Sequence, residues 1–285
     1  MILVFGKTGQ VATELARQAG ARVLCLSREE ADLSDPSTCA AAIATHAPKA
    51  VINAAAWTAV DKAEDHEAEA HVINAQAPAA MAQACADRDI PFIHISTDYV
   101  FNGIGTAPWG PSNPAVPQNA YGRTKLAGEN AVRGIGGAFV ILRTSWVVSA
   151  HGANFVKTML RLGTERDRLA VVADQIGGPT PAAAIASACL DIIYQLQRDP
   201  GKAGTYHFSG APDISWADFA REIFVQANLP CTTDDISTSA FPAKGTRPAN
   251  SRLDCNTLEI VFGLPRPDWR VGLTEILINL GAFKS

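Results

Sequence analysis

The sequence predicts an α/β protein built on a doubly wound parallel sheet, with a smaller C-terminal region beside it. Short apolar runs alternate with alanine-rich helical segments through the first half of the chain. Strands that are joined by crossover helices in this way pair in parallel, with right-handed connections. Beyond residue 145 this alternation weakens, and helices follow one another through glycine- and proline-rich connections.

The apolar runs indicate the strands in chain order. Residues 1–5 are apolar throughout and stop at Gly6, as expected of a strand that is buried on both faces. The same pattern predicts strands at residues 22–26, 50–54, 90–95, 138–143 and 205–208. Helical spacing predicts helices at residues 8–20, 37–46, 67–88, 121–132, 154–162, 182–197 and 216–228. Four prolines between residues 107 and 118 predict a surface loop, since proline interrupts both helices and central strands.

Composition excludes several classes of protein. The 285 residues are 47% hydrophobic and 18% charged, which is typical of a chain that buries a sizeable core. A net charge of −4, from 24 basic and 28 acidic residues, argues against nucleic acid or an anionic membrane as the partner. We also expect neither a membrane span nor a signal peptide. The six cysteines show no metal-binding or C-x-x-C spacing, so we expect reduced thiols and a cytoplasmic protein.

A glycine-rich turn follows the first predicted strand. Gly6, Gly9 and Ala12 have the spacing G-x-x-G-x-x-A, and the turn leads directly into a predicted helix. Small residues there let the backbone approach a pyrophosphate, which the free N–H groups of the helix N-terminus stabilise. The position of the turn indicates a dinucleotide site on a Rossmann-type sheet. We therefore expect residues 1–150 to form an NAD(P)-binding domain and residues 151–285 a substrate-binding region, with segments returning to the sheet.

The end of the second strand bears on the choice of cofactor. An acidic residue about 20 positions after the glycine turn usually binds the adenosine ribose. Ser27 and Arg28 stand at this edge, and both are able to bind a 2′-phosphate, so NADPH is expected to be tolerated. Glu29 or Glu30 leaves NADH open as the alternative, and Arg28 can equally be a solvated loop charge.

Three side chains form a candidate acid–base group. Tyr121 and Lys125 are four residues apart, on the same face of a predicted helix. A nearby ammonium lowers the pKa of a tyrosine from its usual value of about 10, which suits proton transfer. Thr97 follows the predicted strand 90–95, at the edge where open α/β sheets place their ligands. The hypothesis is that Thr97 donates a hydrogen bond to a substrate carbonyl while Tyr121 delivers a proton.

Longer motifs extend over nearly the whole chain. The most specific are STDYVF (96–101), LRTSWV (142–147) and DQIGGPT (174–180). The others are GKTGQVA (6–12), VINAAAWTAVDKAE (51–64), YGRTKLAGE (121–129), NFVKTMLRL (154–162) and RPANSRL (247–253). Together they resemble the dTDP-4-dehydrorhamnose reductase family of extended short-chain dehydrogenases/reductases. The resemblance implies reduction of the C4 ketone of dTDP-4-dehydro-β-L-rhamnose to dTDP-β-L-rhamnose by NADPH or NADH, for the synthesis of cell-surface polysaccharides.

The resemblance also implies roles for individual residues. Tyr121 would be the proton donor, Lys125 its partner and Thr97 the group that polarises the carbonyl. The implied substrate contacts are Thr97, Asp98, Trp146 and Arg247, the last as a clamp for the diphosphate. The implied cofactor contacts, with Gly6 and Arg28 added from the arguments above, are Gly9, Gln10, Val11, Asp32, Leu33, Ala56, Trp57, Thr58, Tyr121 and Lys125.

Other interpretations stay open. A related NAD(P)-dependent sugar-nucleotide reductase would share these motifs. A sugar-nucleotide epimerase or dehydratase that recycles bound NAD shares the glycine turn and the Tyr–Lys pair. A non-catalytic nucleotide-binding regulatory subunit shares the fold. The LRTSWV and DQIGGPT motifs favour the reductase over the epimerase, and the intact acid–base group favours an enzyme over the subunit.

Other polar residues bear on metal binding and on the core. Some family members bind magnesium at a dimer contact through three glutamates. Glu14 matches one of them, but Ala183 and Asn279 stand at the other positions, which argues against this metal and a dimer built on it. A homodimer itself stays open. His94 is expected to be a hydrogen-bonded core imidazole, and the acidic residues between 61 and 69 a solvated helix start.

Overall fold

A six-stranded parallel sheet forms the centre of the protein in a computed structural model that describes residues 1–283. The strands are β1 (Ile2–Phe5), β2 (Val23–Leu26), β3 (Ala50–Asn53), β4 (Phe92–Thr97), β5 (Phe139–Thr144), β6 (Val147–Val148), β7 (Arg168–Val172), β8 (Ile176–Gly177), β9 (Thr180–Pro181), β10 (Gly204–His207), β11 (Ile214–Ser215), β12 (Thr232–Ile236) and β13 (Asn250–Ser251). The helices are α1 (Gln10–Ala19), α2 (Pro36–His46), α3 (Val60–Ala63), α4 (Glu67–His71), α5 (Ala77–Ala86), α6 (Ala120–Ile135), α7 (Phe155–Glu165), α8 (Ala182–Arg198), α9 (Trp216–Gln226), α10 (Asn256–Phe262) and α11 (Trp269–Asn279).

The strand order of the central sheet is β10-β5-β4-β3-β1-β2. The chain therefore runs outward from β1 in one direction to β2 and in the other to β3, β4, β5 and β10. At the reversal, Phe5 of β1 lies beside Asn53 of β3. Ligands of open α/β sheets bind at the carboxyl edge beside such a reversal, so the topology confirms the predicted α/β fold and directs attention to that edge.

Alternation of side chains along the strands divides the core between the two faces of the sheet. Val4 and Ile52 pack with α1 and α8 on one face, whereas Leu3 and Val51 pack with α2 and α5 on the other. Successive strand residues point to opposite faces, so uniformly apolar runs are the ones that build a sheet covered on both sides.

A third apolar cluster joins α7, α9 and α11 to β7, with Phe219 and Trp269 fully buried in it. Residues 182–198 and 204–207, from the second half of the chain, join the central sheet as α8 and β10. The division near residue 150 stays a prediction. Within residues 1–283, every helix is too short or too polar to cross a membrane.

The helix predicted at residues 67–88 is present over residues 67–86 but contains a π-helical turn at Val72–Gln76, between α4 and α5. The wide turn places the fully buried Asn74 so that its amide donates to Thr124 Oγ1 at 3.0 Å and to the Trp57 carbonyl at 3.1 Å. Such turns are frequent at functional sites, and this one ties the loop after β3 to α6.

Candidate active site

A cleft of about 770 Å³ runs along the carboxyl edge of the sheet. Of the residues predicted to form the site, its walls contain Gly6, Gly9, Gln10, Val11, Arg28, Asp32, Leu33, Ala56, Thr58, Thr97, Asp98, Tyr121, Lys125 and Trp146. Two predicted residues, Trp57 and Arg247, are not on these walls. The cleft therefore brings together residues from both halves of the chain.

The glycine turn closes one end of the cleft between β1 and α1. Gly6 has a φ of +99°, and a Cβ added there would lie 3.0 Å from both the Cβ and the main-chain nitrogen of Ala55. Gly9 precedes α1 without a side-chain cap, and the first turn of α1 has no acidic residue. The N-terminal N–H groups of this helix and its dipole are thus free to receive an anion.

The residues that follow β2 line the same end of the cleft as the glycine turn, and they include both positive and negative side chains. Arg28 and Asp32 form an exposed ion pair with Nε 3.1 Å from Oδ2. Glu30 accepts a hydrogen bond from the Ser27 N–H at 2.7 Å, and this bond is the main cause that lowers its pKa. Ser27 and Arg28 line the cleft, and Glu30 does not.

The loop after β3 forms the floor of the cleft, where the predicted cofactor contact of Trp57 stays a prediction. Ala56 and Thr58 line the cleft, but the side chain of Trp57 turns away and its Nε1 donates to the Ala59 carbonyl at 3.2 Å. Its main-chain N–H donates to Asn74 Oδ1 at 2.9 Å. The π-helical turn supplies this amide, so the long-range contact with Asn74 decides the orientation of the loop.

The start of α6 positions Tyr121. Asn119 caps the helix by accepting the Gly122 N–H at 2.7 Å. A Cβ at Gly122 would lie 2.2 Å from the Tyr99 carbonyl oxygen, so only glycine permits this approach. The rings of Tyr99 and Tyr121 then meet edge to face, with centroids 5.4 Å apart.

The rest of α6 is held by a buried ion pair. Glu129 accepts hydrogen bonds from Arg143 of β5, with Nη2 at 2.6 Å, and from the Ser96 hydroxyl of β4 at 2.6 Å. Burial by itself would raise the pKa of Glu129, but the hydrogen bonds and charge of Arg143 bring it below its usual value. The helix that carries Tyr121 and Lys125 is therefore tied to the two strands that end at the cleft.

Thr97 and Asp98 face Tyr121 across the end of β4. The Thr97 hydroxyl donates to Asp98 Oδ1 at 3.1 Å. Burial raises the pKa of Tyr121 to about 12, against a lowering hydrogen bond with Thr97. Burial also raises the pKa of Asp98 to about 6. Within residues 1–283, Asp98 Oδ2 and Thr144 Oγ1 are buried without a hydrogen-bond partner, and both residues line the cleft.

Lys125 is buried and points away from solvent. Its Nζ donates to the Ile95 carbonyl at 2.8 Å and lies 3.2 Å from His94 Nε2. Burial lowers the pKa of this lysine to about 8. The pKa of Tyr121 is thus raised and not lowered as expected, because burial has the largest effect on the phenol. The prediction for His94 is confirmed, since its fully buried ring is hydrogen-bonded on both sides.

Trp146 forms the wall opposite the glycine turn. Its φ of +48° is rare for an aromatic residue, and its ring stacks on Trp216 with centroids 3.5 Å apart and planes at 11°. Trp216 also lines the cleft, and no sequence motif pointed to it. Strained conformations of this kind persist where the surroundings enforce them, often at ligand sites.

Arg247 lies outside the cleft walls because it is engaged elsewhere. Its Nη2 is 2.9 Å from Asp61 Oδ2, and Asp61 Oδ1 accepts the N–H groups of Lys244 and Gly245 at 3.1 and 2.9 Å. Lys244 also pairs with Asp65. These acidic residues are thus not merely a solvated helix start, as expected, but dock the segment 244–247.

The residues that correspond to the family's metal ligands do not fit a divalent cation. Glu14, Ala183 and Asn279 line one small pocket. The Glu14 carboxylate is already bonded to Arg17 at 2.8 Å and His151 at 3.2 Å, and Ala183 offers no ligand. A hard cation needs several free oxygen ligands, and residues 1–283 contain no cluster of His, Cys, Asp and Glu that suits a metal.

Comparison with known proteins defines the family. The family model described as the RmlD substrate binding domain matches residues 1–281. The dTDP-4-dehydrorhamnose reductase of Sinorhizobium fredii is 42% identical over 276 residues, covering 94% of this chain and 93% of its own. The chain belongs to the dTDP-4-dehydrorhamnose reductase family. The reductase of Escherichia coli is 40% identical, with 98% of this chain and 97% of its own covered.

A solved structure of the same family extends the comparison to three dimensions. The dTDP-4-dehydrorhamnose reductase from Bacillus anthracis, solved in complex with NADP, is 34% identical to this chain. The two superpose with a TM-score of 0.91 over 98% of each chain. Membership in the dTDP-4-dehydrorhamnose reductase family thus rests on the sequence and the fold together.

Proposed function

We propose that this chain reduces the C4 ketone of dTDP-4-dehydro-β-L-rhamnose to dTDP-β-L-rhamnose with NADPH or NADH. The proposal rests on one observation: Thr97, Tyr121 and Lys125 line the same cleft as the glycine turn. This cleft lies at the carboxyl edge of the sheet, where the strand order reverses and ligands usually bind. The names of the relatives and the NADP bound to one of them support it. A cytoplasmic location and a homodimer stay predictions.

The reduction needs a proton at oxygen and a hydride at carbon. When bound, the reduced nicotinamide supplies the hydride to C4. Tyr121 delivers the proton to the oxygen, and its raised pKa keeps the phenol protonated at neutral pH, which is the form that a donor requires. Thr97 donates a hydrogen bond to the same oxygen, and a protonated Lys125 stabilises the phenolate that remains.

Asp98 Oδ2 and Thr144 Oγ1, the two buried cleft atoms without hydrogen-bond partners among residues 1–283, are suited to bind the hydroxyl groups of a sugar. Above a pH of about 6 Asp98 is ionised, and its free Oδ2 accepts a hydrogen bond from a sugar hydroxyl. Trp146 also lines the cleft, where its indole would pack against the sugar. Arg247 binds the diphosphate once it leaves Asp61, because a guanidinium forks onto phosphate oxygens.

The cofactor fits the opposite end of the cleft. Gly6, Gly9, Gln10 and Val11 surround the open N-terminus of α1, which suits the pyrophosphate. Asp32 and Leu33 line the same end and would flank the adenosine, and Ser27 and Arg28 would bind a 2′-phosphate.

The test is oxidation of NADPH and NADH, followed by absorbance, with dTDP-4-keto-6-deoxyglucose in the presence and absence of a 3,5-epimerase. Oxidation that depends on the epimerase supports the proposed substrate and ranks the two cofactors. Oxidation without the epimerase assigns a D-sugar substrate instead. No oxidation under either condition overturns the reductase.

A further inference from the structure

A chain of hydrogen bonds runs from the floor of the cleft to Lys125. The main-chain N–H of Ala55 donates to Asn53 Oδ1 at 3.1 Å, and Asn53 Nδ2 lies 3.2 Å from His94 Nδ1. His94 Nε2 is in turn 3.2 Å from Lys125 Nζ, which donates to the Ile95 carbonyl at 2.8 Å. Asn53 and His94 are fully buried, so these bonds are shielded from bulk solvent.

The direction of each hydrogen bond follows from the first one. A main-chain N–H only donates, so it fixes Oδ1 of Asn53 as the acceptor and turns the amide NH₂ toward His94. Nδ1 of the imidazole must then accept, and a neutral ring with an accepting Nδ1 carries its proton on Nε2. That proton points at Lys125 Nζ, which can accept it only as an uncharged amine.

We propose that Asn53 and His94 are positioning residues that make Lys125 lose its proton more readily than an ordinary lysine, because the N–H of His94 Nε2 favours an uncharged amine as its acceptor. If Lys125 were an ammonium, its N–H groups and the N–H of His94 Nε2 would be two donors facing each other without an acceptor between them. Burial acts in the same direction, since it lowers the pKa of Lys125 to about 8. Burial also keeps the pKa of His94 far below its usual value, so the imidazole is neutral.

The other charged groups near Lys125 do not reverse this conclusion. Glu129 of the same helix raises the pKa of Lys125, but its charge is shared with Arg143 and Arg133. Tyr121 is a neutral phenol at this pH, and Asp98 lies at the end of β4 on the cleft wall. The charge of Lys125 thus becomes adjustable near neutral pH.

The consequence for catalysis rests on the proposed function. If a protonated Lys125 stabilises the Tyr121 phenolate, reductase activity is lost as the pH rises through about 8. An ordinary lysine, with a pKa of about 10.4, would keep its charge well beyond that point. In this proposal His94 and Asn53 act with burial to bring the alkaline limit of the reaction toward neutral pH, without touching the substrate.

The direct test uses the full chain without cofactor and needs no turnover. Nitrogen-15 NMR of the imidazoles reports the tautomer of His94, and carbon-13 labelled lysine reports the titration of Lys125, assigned with Lys125→Arg. We expect a proton on Nε2 and a titration about two pH units below an ordinary lysine. A proton on Nδ1, or an ordinary lysine titration, overturns the proposal even if the reductase activity is confirmed.

A second test reverses the donor and acceptor roles along the hydrogen bonds from residue 53 through His94 to Lys125. In Asn53→Asp the carboxylate accepts from Nδ1, so Nε2 becomes an acceptor and favours the ammonium. A rise of one unit in the pKa of Lys125 increases its protonated fraction at pH 9 by about fivefold, and kcat/KM there should rise equally. His94→Phe in the same background keeps a ring of similar size but removes both nitrogens, so most of the increase should disappear. If the double variant keeps the full increase in kcat/KM at pH 9, the negative charge introduced at residue 53 acts on Lys125 directly, without His94. This result overturns the role of His94.

Discussion

The two ends of the cleft are built in different ways. At the cofactor end, consecutive residues of the glycine turn and the N-terminus of α1 form the part that suits the pyrophosphate, and the ends of β2 and β3 lie beside it. At the substrate end, side chains meet from segments far apart in sequence, as in the stacking of Trp146 on Trp216 and the pairing of Arg247 with Asp61. A site formed by neighbouring residues can be predicted from a short sequence motif. A site formed by distant segments depends on how the helices and strands pack.

The largest effect on activity is expected for Tyr121, which lies between the cofactor end and the substrate end of the cleft. Tyr121→Phe removes the proton donor, so kcat should fall about 10²–10⁴-fold, the usual range for a general acid. Affinity for the cofactor should change little, because the glycine turn is untouched. Steady-state kinetics with a parallel cofactor titration measure both quantities. A kcat close to that of the wild type would remove Tyr121 from its proposed role.

The substrate end depends on a charged acceptor. Asp98→Asn keeps the shape but removes the charge, so kcat/KM at pH 7.5 should fall about 10–100-fold, as for loss of a hydrogen bond to a charged group. In the wild type the carboxylate gains a proton as the pH falls through about 6, so kcat/KM should decline below that value. The asparagine variant should lack this decline. A pH profile with the same acidic limb in both proteins would contradict the assignment.

The cofactor end depends on backbone conformation, and two glycines give a matched pair. Gly6→Ala strains a φ of +99° and crowds Ala55, so cofactor affinity should weaken about tenfold and stability fall by about 1–3 kcal/mol. Gly20→Ala strains a φ of +53° where nothing lies within 4 Å. This control should lower stability and leave affinity unchanged, as thermal unfolding and cofactor titration would reveal. Equal loss of affinity in both variants would mean that strain alone accounts for it.

The smallest effect tests whether Arg247 belongs to the substrate end. Asp61→Asn weakens an exposed ion pair worth about 0.2–1 kcal/mol, so freeing Arg247 should lower the KM for the sugar nucleotide by up to about fivefold. Asp65→Asn is the control, because it loosens Lys244 of the same segment and leaves Arg247 paired. An unchanged or higher KM in Asp61→Asn would show that the arginine is not recruited from this pair.

The elements of the central sheet were readable from the chain because their signals are local. The predicted strands at residues 50–54 and 138–143 became β3 and β5, with bounds that agree to within one residue. The sequence patterns did not indicate the C-terminal helices α10 and α11, and α11 follows a segment with two prolines, residues 263–267. The π-helical turn at 72–76 had no local signal either, because it is stabilised by the contacts of Asn74 with another helix and a distant loop.

The sequence by itself determined the fold class, the family, the glycine turn and the trio of Thr97, Tyr121 and Lys125, because each depends on neighbouring residues or on short motifs. Only the tertiary structure decided that Trp57 turns away from the cleft, that Arg247 is held by Asp61, and that Lys125 faces His94. These outcomes depend on which buried polar groups find partners, and partners such as Asn74 and Asn53 are supplied by elements far away in the chain. Burial, which shifts the pKa of Tyr121 and Lys125 in opposite directions, likewise exists only after the chain has folded.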